Sequence, residues 1–251
     1  MRRALVASIL AAAAASIPGA AAGGGIALSA SPLRLTLRGA SAAAITVRNP
    51  GRETLLVDVA RAGFARSLHG KPRVRPARGA APWLRFRPSR FRIRAGERVP
   101  VHVVADPARG TAPGDHPALV LLTTRPLGVK HLRVRLRVGV IVDLRVRGRI
   151  VRRLDPRALA VRREGAWRLL ELRLANLGNV TERLGRDGVR LALVRDGRVF
   201  STLRPRRAEL LPHSAGIAVF AYRGHVRGAV LARVELPPPL RGPSRSFRLR
   251  L

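Results

Sequence analysis

The chain contains no cysteine. Neither a disulfide framework nor a lipoprotein anchor can be built, so stability must come from an apolar core and backbone ladders. Aromatic residues make up only 4%, with two Trp and one Tyr, which leaves Val, Leu, Ile and Ala to fill that core. Acidic residues are scarce too: 14 Asp and Glu stand against 49 Lys and Arg. Lysine is almost missing, Lys71 and Lys130 being the only two. Histidines stand singly at 69, 102, 116, 131, 213 and 225, with no HxH or HxxxH spacing to hold a metal. A GxSxG elbow, a Walker loop and a dinucleotide glycine fingerprint are all absent. The chain therefore reads as non-enzymatic, with no cofactor and no metal. Asp115-His116 is the most suggestive acid–base pair. It follows Pro113-Gly114 and has no nucleophile or second carboxylate near it, so it reads as turn chemistry. Asn179-Val180-Thr181 matches a glycosylation sequon and likewise reads as a turn.

Long apolar runs are lacking beyond the first segment. Met1-Arg2-Arg3 is a basic start, Ala4 to Ile17 is apolar, and Pro18 to Ala22 supplies small residues. That is the pattern of a secretory signal peptide over 1–22. A membrane anchor is the rival reading, but the run falls short of the roughly 20 apolar residues a spanning helix needs. The expectation is an exported chain with no transmembrane anchor after cleavage, in the periplasm, the cell envelope or outside the cell.

The formal charge of +35 invites a nucleic-acid reading. The arginines are dispersed along alternating strands, however, rather than gathered in one arm or helix. Abundant Ala, Gly, Pro and Arg also fit a GC-biased genome. Specific nucleic-acid binding is not expected. A surface this basic still attracts anions, and an exported protein meets anionic cell-wall polymers and acidic proteins.

What is plentiful is short alternating stretches closed by Gly and Pro. Leu33, Leu35 and Leu37 alternate with Arg34, Thr36 and Arg38. Ile45 and Val47 resume the pattern before Asn49-Pro50-Gly51 turns the chain. Thr54 to Ala60 reads as a third strand, and Gly63 to Pro82 as a long connection without periodicity. Strands follow at 83–86, 91–94, 99–103 and 118–123. A long one, Leu132–Val142, has a Val/Leu row regular enough to accept an added strand. The second half repeats this grammar from Leu170 onwards, with Arg195-Asp196-Gly197 as a strong hairpin signal. Many short strands without an amphipathic helix imply an all-β chain. Two tandem immunoglobulin-like β-sandwiches, at 26–147 and 149–251, fit the length.

The opening Leu33 to Gly39, then Ile45 to Pro50, Trp83-Leu84 through Phe91, Arg94 to Glu97 and Val99 to Val103 resemble the periplasmic pilus-assembly chaperones. The long strand followed by a second immunoglobulin-like domain matches their layout. The resemblance implies a chaperone-like or adaptor protein that binds another exported protein, a pilin-like or surface subunit, by β-strand addition. In that family an early-strand arginine and a lysine on the long strand hold the subunit's C-terminus. Arg34 falls where the arginine stands, while Arg135 or Arg137 would have to replace the lysine. Leu136, Val138 and Val140 form the apolar row. The alternative is a basic surface module that holds anionic cell-wall polymers.

Overall fold

The computed structural model describes residues 27–125, 135–185 and 188–251. The expected signal segment lies outside them, as do residues 132–134 of the expected long strand.

The first sandwich is built from ten strands. They are β1 (Ser29–Ser31), β2 (Arg34–Arg38), β3 (Ser41–Arg48), β4 (Leu55–Arg66), β5 (Pro72–Arg75), β6 (Leu84–Arg87), β7 (Arg90–Ile93), β8 (Arg98–Ala105), β9 (Gly114–Thr124) and β10 (Arg137–Val146). One sheet runs β1-β3-β8-β6; the other runs β2-β10-β9-β4-β5, with β7 on β4. The chain changes sheets between β1 and β2, and β2 then pairs with β10 in parallel, Arg34 opposite Ile141 and Arg38 opposite Arg145. Leu35 and Leu37 face inward and meet Ile45, Val47, Leu55, Val57, Leu84, Ile93, Val101 and Val103. Full burial of such an aliphatic side chain contributes about 1.5–3 kcal/mol, enough in sum to hold the layers without a disulfide.

The second sandwich continues with β11 (Leu154–Glu164), β12 (Trp167–Asn176), β13 (Glu182–Leu184), β14 (Arg190–Arg195), β15 (Arg198–Leu203), β16 (Ala208–Leu210), β17 (Ala215–Tyr222), β18 (Ala229–Glu235) and β19 (Arg245–Arg250). Sheets β11-β12-β17 and β15-β14-β18-β19 enclose Leu170, Leu172, Leu174, Leu191, Leu193 and Phe220; the short pair β13-β16 is a sheet of its own whose Leu184 and Leu210 join the same core. At the β14–β15 hairpin, Asp196 and Gly197 both have positive φ (49° and 76°). That left-handed pair gives the twist a two-residue hairpin requires.

A buried asparagine pins an equivalent turn in each sandwich. The Asn49 side-chain amide donates to the carbonyls of Glu53 and Ile93 (2.6 and 3.2 Å), and its oxygen accepts from Gly51 N–H (3.0 Å). Asn176 donates to Val180, Leu210 and Leu211 carbonyls (2.8–3.1 Å) and accepts from Gly178 N–H (2.9 Å). Both residues are fully buried, and only this pairing makes a buried amide tolerable.

Several expectations need correction. Leu33 does not share the inward face of Leu35 and Leu37; it sits in the crossing between sheets and is 59% exposed. The stretch after Gly63 is not all connection, because β4 runs on to Arg66 and pairs with β5. The alternation of β4 also changes phase: Leu55, Val57 and Val59 point into the core, whereas Ala62 and Phe64 point out of it. Among the described residues the long strand begins at Arg137 and ends at Val146, four residues past the expected end. No helix among the described residues is long and apolar enough to cross a membrane.

Candidate functional site

The outer face of the β2-β10-β9-β4 sheet is where the two sandwiches meet. Outward-pointing residues alternate with core residues, so the inter-strand register decides which of them adjoin. Arg145 stands beside Asp115 and Ile141 beside Leu119, and Leu119 stands beside Ala62 on the next strand. Ala62, Phe64 and Leu119 form an apolar floor, partly flanked by Leu121 and Ile141. Leu211 of the second sandwich packs into it. Beside this floor the backbone N–H of Ile217 donates to Leu68 O (2.8 Å), tying the turn after β4 to β17.

A polar joint closes one end of the interface. Asp115 accepts a two-pronged hydrogen bond from Arg145 (2.5 and 2.8 Å) and a third from the backbone N–H of Thr181 (2.8 Å). Burial alone would push its carboxyl up, but Arg145 and the Thr181 N–H outweigh that and hold it below the usual range. Asn179 bridges both sandwiches: its amide donates to Pro113 O and Arg149 O (2.9 and 2.8 Å), and its side-chain oxygen accepts from Val151 N–H (2.8 Å). Its backbone oxygen also accepts from Asp115 N–H (2.8 Å). Gly114 is needed here, because a Cβ at its φ of +126° would strike the Asn179 carbonyl. Glu182, from β13, pairs with Arg152 at 3.3 Å; its burial pushes its carboxyl up all the same. Asp115, Arg145, Arg152, Thr181 and Glu182 line a cavity of about 310 Å³ between the sandwiches.

The other end is an ionic cleft of about 710 Å³. Arg34 donates through Nη2 to both oxygens of Glu209 (2.8 and 3.0 Å), while its Nε lies 3.3 Å from Asp143. Arg66 reaches the same Glu209 at 2.5 Å. Arg183 adds weaker contacts, 3.6 Å to Asp143 and 3.7 Å to Glu209. Asp143 is pushed up by burial, against the pull of Arg34. Leu68, Leu184, Ile217 and Val219 give the cleft apolar walls.

The residues singled out by the sequence divide into two groups. Arg34 is in the cleft. Arg135 and Arg137 are exposed on or just before the start of β10, four or more residues upstream of Ile141, the partner of Arg34. At about 3.3 Å per residue that is roughly 13 Å or more along the strand, beyond the ionic cluster. The cations beside Arg34 are Arg66 and Arg183, which nothing in the sequence distinguishes from other strand arginines. Leu136 and Val138 are half-buried, while Val140 is fully buried in the core of the first sandwich. Asp115 and His116 do not act as a pair: His116 Nε2 is bonded to Ala112 O (2.8 Å), and its ring meets Trp83 edge-on.

No family model and no curated protein sequence matches the chain. Solved structures do. The class 5 fimbriae chaperone CfaA aligns with a TM-score of 0.52 at 9% identity, over 89% of this chain and 98% of its own. A chain of the chaperone–tip adhesin complex of CFA/I fimbriae biogenesis aligns with a TM-score of 0.51 at 9% identity, over the same shares. The chain thus shares its fold with CfaA. β10 is the last strand of the first sandwich, and the interface just described lies between that sandwich and the second.

Proposed function

We propose that the chain is an exported, non-enzymatic, chaperone-like protein that captures another exported protein by β-strand addition along β10. The observation that carries this reading is an open edge. β2 covers β10 only from Ile141 to Arg145; upstream, Arg137 to Val140 pair with β9 on one side, and among the described residues no strand pairs with them on the other. Unpaired N–H and C=O groups along such an edge are a template for a further strand. Leu136 and Val138 offer partly exposed apolar side chains there, and Arg34 in the cleft marks where the open stretch ends. The complex with a tip adhesin formed by a protein of this fold supports a subunit of fimbrial type as the partner. A charge placed in the row, as Leu136→Arg with Val138→Arg, should abolish capture while leaving the core residues Val140, Val142 and Leu144 untouched. Capture that survives in a folded double variant excludes strand addition at this edge.

A further inference from the structure

Glu209 is the carboxylate on which arginines from both sandwiches converge. It projects from β16 of the second sandwich, its side chain 13% exposed, and its two oxygens receive Arg34 and Arg66 from the first sandwich. A buried or half-buried guanidinium pair needs a compensating anion, and here the chain provides one itself. The compensation is incomplete. Arg34, Arg66 and Arg183 share only Asp143 and Glu209, and Arg66 Nε–H is buried without an acceptor. Arg206 and Arg207, just upstream of Glu209, line the same cavity as the apolar Leu68, Ile217 and Val219. The cleft thus combines spare donors, surplus positive charge and an apolar wall.

We propose that Glu209 is a built-in occupant of the cleft's anion site, a gate that an incoming carboxylate borne on an apolar group must displace. This rests on reading the cleft as part of the binding site. A carboxylate fixed on a neighbouring strand competes at high effective concentration, because its ordering is complete before any ligand arrives. A free anion therefore gains only the difference between its own contacts and those of Glu209. A ligand that is also paired along β10 is tethered in the same way and competes on equal terms. The gate makes the cleft ignore free anions and respond to a chain end presented by a captured strand. On displacement Glu209 keeps its contact with Arg183 of its own sandwich. The contacts that Arg34 and Arg66 make across the interface are given up at the same moment, so ligand binding loosens the joint between the sandwiches.

The test uses the whole mature chain with N-acetyl-leucine as a free-carboxylate probe and N-acetyl-leucine amide as its neutral counterpart, followed by calorimetric or NMR titration. Wild type should bind both equally poorly. Glu209→Gln should bind the carboxylate at least about tenfold more tightly, a difference of roughly 1.4 kcal/mol, with the amide unchanged. Adding Arg34→Gln should remove the gain. Glu209→Asp, which withdraws the charge by one methylene, should gain less and covers the case in which the glutamine variant folds poorly. Equal carboxylate binding by wild type and both Glu209 variants overturns the gate, as does a gain shared by the amide. Neither probe can add a strand to β10, so a gain here stands even if capture by that edge fails.

Discussion

Asn179→Ala is the sharpest probe of the joint between the sandwiches. The substitution leaves the backbone bonds of residue 179 in place and deletes three side-chain hydrogen bonds, to Pro113 O, Arg149 O and Val151 N–H. At about 1 kcal/mol net for each bond, the loss is about 3 kcal/mol if nothing replaces them. Residue 179 is half-buried, so water can reach some of the stranded groups, and a loss of about 2 kcal/mol is the working figure. For a chain of this length that corresponds to a fall in Tm of about 4–8 °C. Scanning calorimetry reads both the shift and its shape. Wild type should melt as one unit because the joint couples the two cores; the variant should melt earlier and split into two overlapping transitions. A variant whose melting point lies within 1 °C of wild type (about a quarter of the smallest expected shift), with an unchanged profile, would refute the claim that this side chain couples the sandwiches.

Gly114→Ala should destabilise by more than the usual glycine-to-alanine change, since both its positive φ and the Asn179 carbonyl forbid a Cβ; urea midpoints would show it. Glu182 gives a pH signature. Burial raises its native pKa above the usual 4.5, so its contribution to stability is whole below 4.5 and is lost as pH rises through the raised native value. Asp143 acts in the same sense from 3.8 upward, and Asp115, whose pKa is lowered, acts in the opposite sense below 3.8. Glu182→Gln should therefore flatten the decline of stability with pH above 4.5, measured by denaturant titration at a series of pH values; an unchanged slope contradicts the assignment.

The strands were legible wherever one face is core and the other solvent. Leu35 and Leu37 against Thr36 and Arg38 show the period directly, and Asp196-Gly197 announced its hairpin through the backbone geometry only such residues adopt easily. β11 was not read, because its middle and end, Ala158 to Glu164, bury no residue fully and so carry weak alternation. The second half of β4 was missed for the opposite reason: Ala62 and Phe64 are buried, but against the other sandwich, so the period slips at Ala60-Arg61. Arg34 was singled out in the sequence only by a resemblance. The side chains it meets in the cleft were not singled out at all. Glu209 lies 175 residues away and reaches Arg66 across 143, and in a chain with 49 basic residues no local signal separates a cleft arginine from a solvated one. Asn179 looked like an ordinary turn because its hydrogen bonds go to Pro113 and Arg149, carbonyls that only the folded interface brings near.

The central claim is that the open edge of β10 captures a partner strand. The measurement that tests it most directly is co-purification of the mature protein from its own cell envelope, at low and high salt, beside the Leu136→Arg, Val138→Arg double variant. Backbone pairing and apolar contacts are little affected by salt, whereas attraction to a basic surface is screened by it. The account predicts one discrete small protein retained by wild type at high salt and lost from a double variant that still folds. Equal retention by wild type and a folded double variant, or a mixed anionic fraction released from both as salt rises, would contradict it.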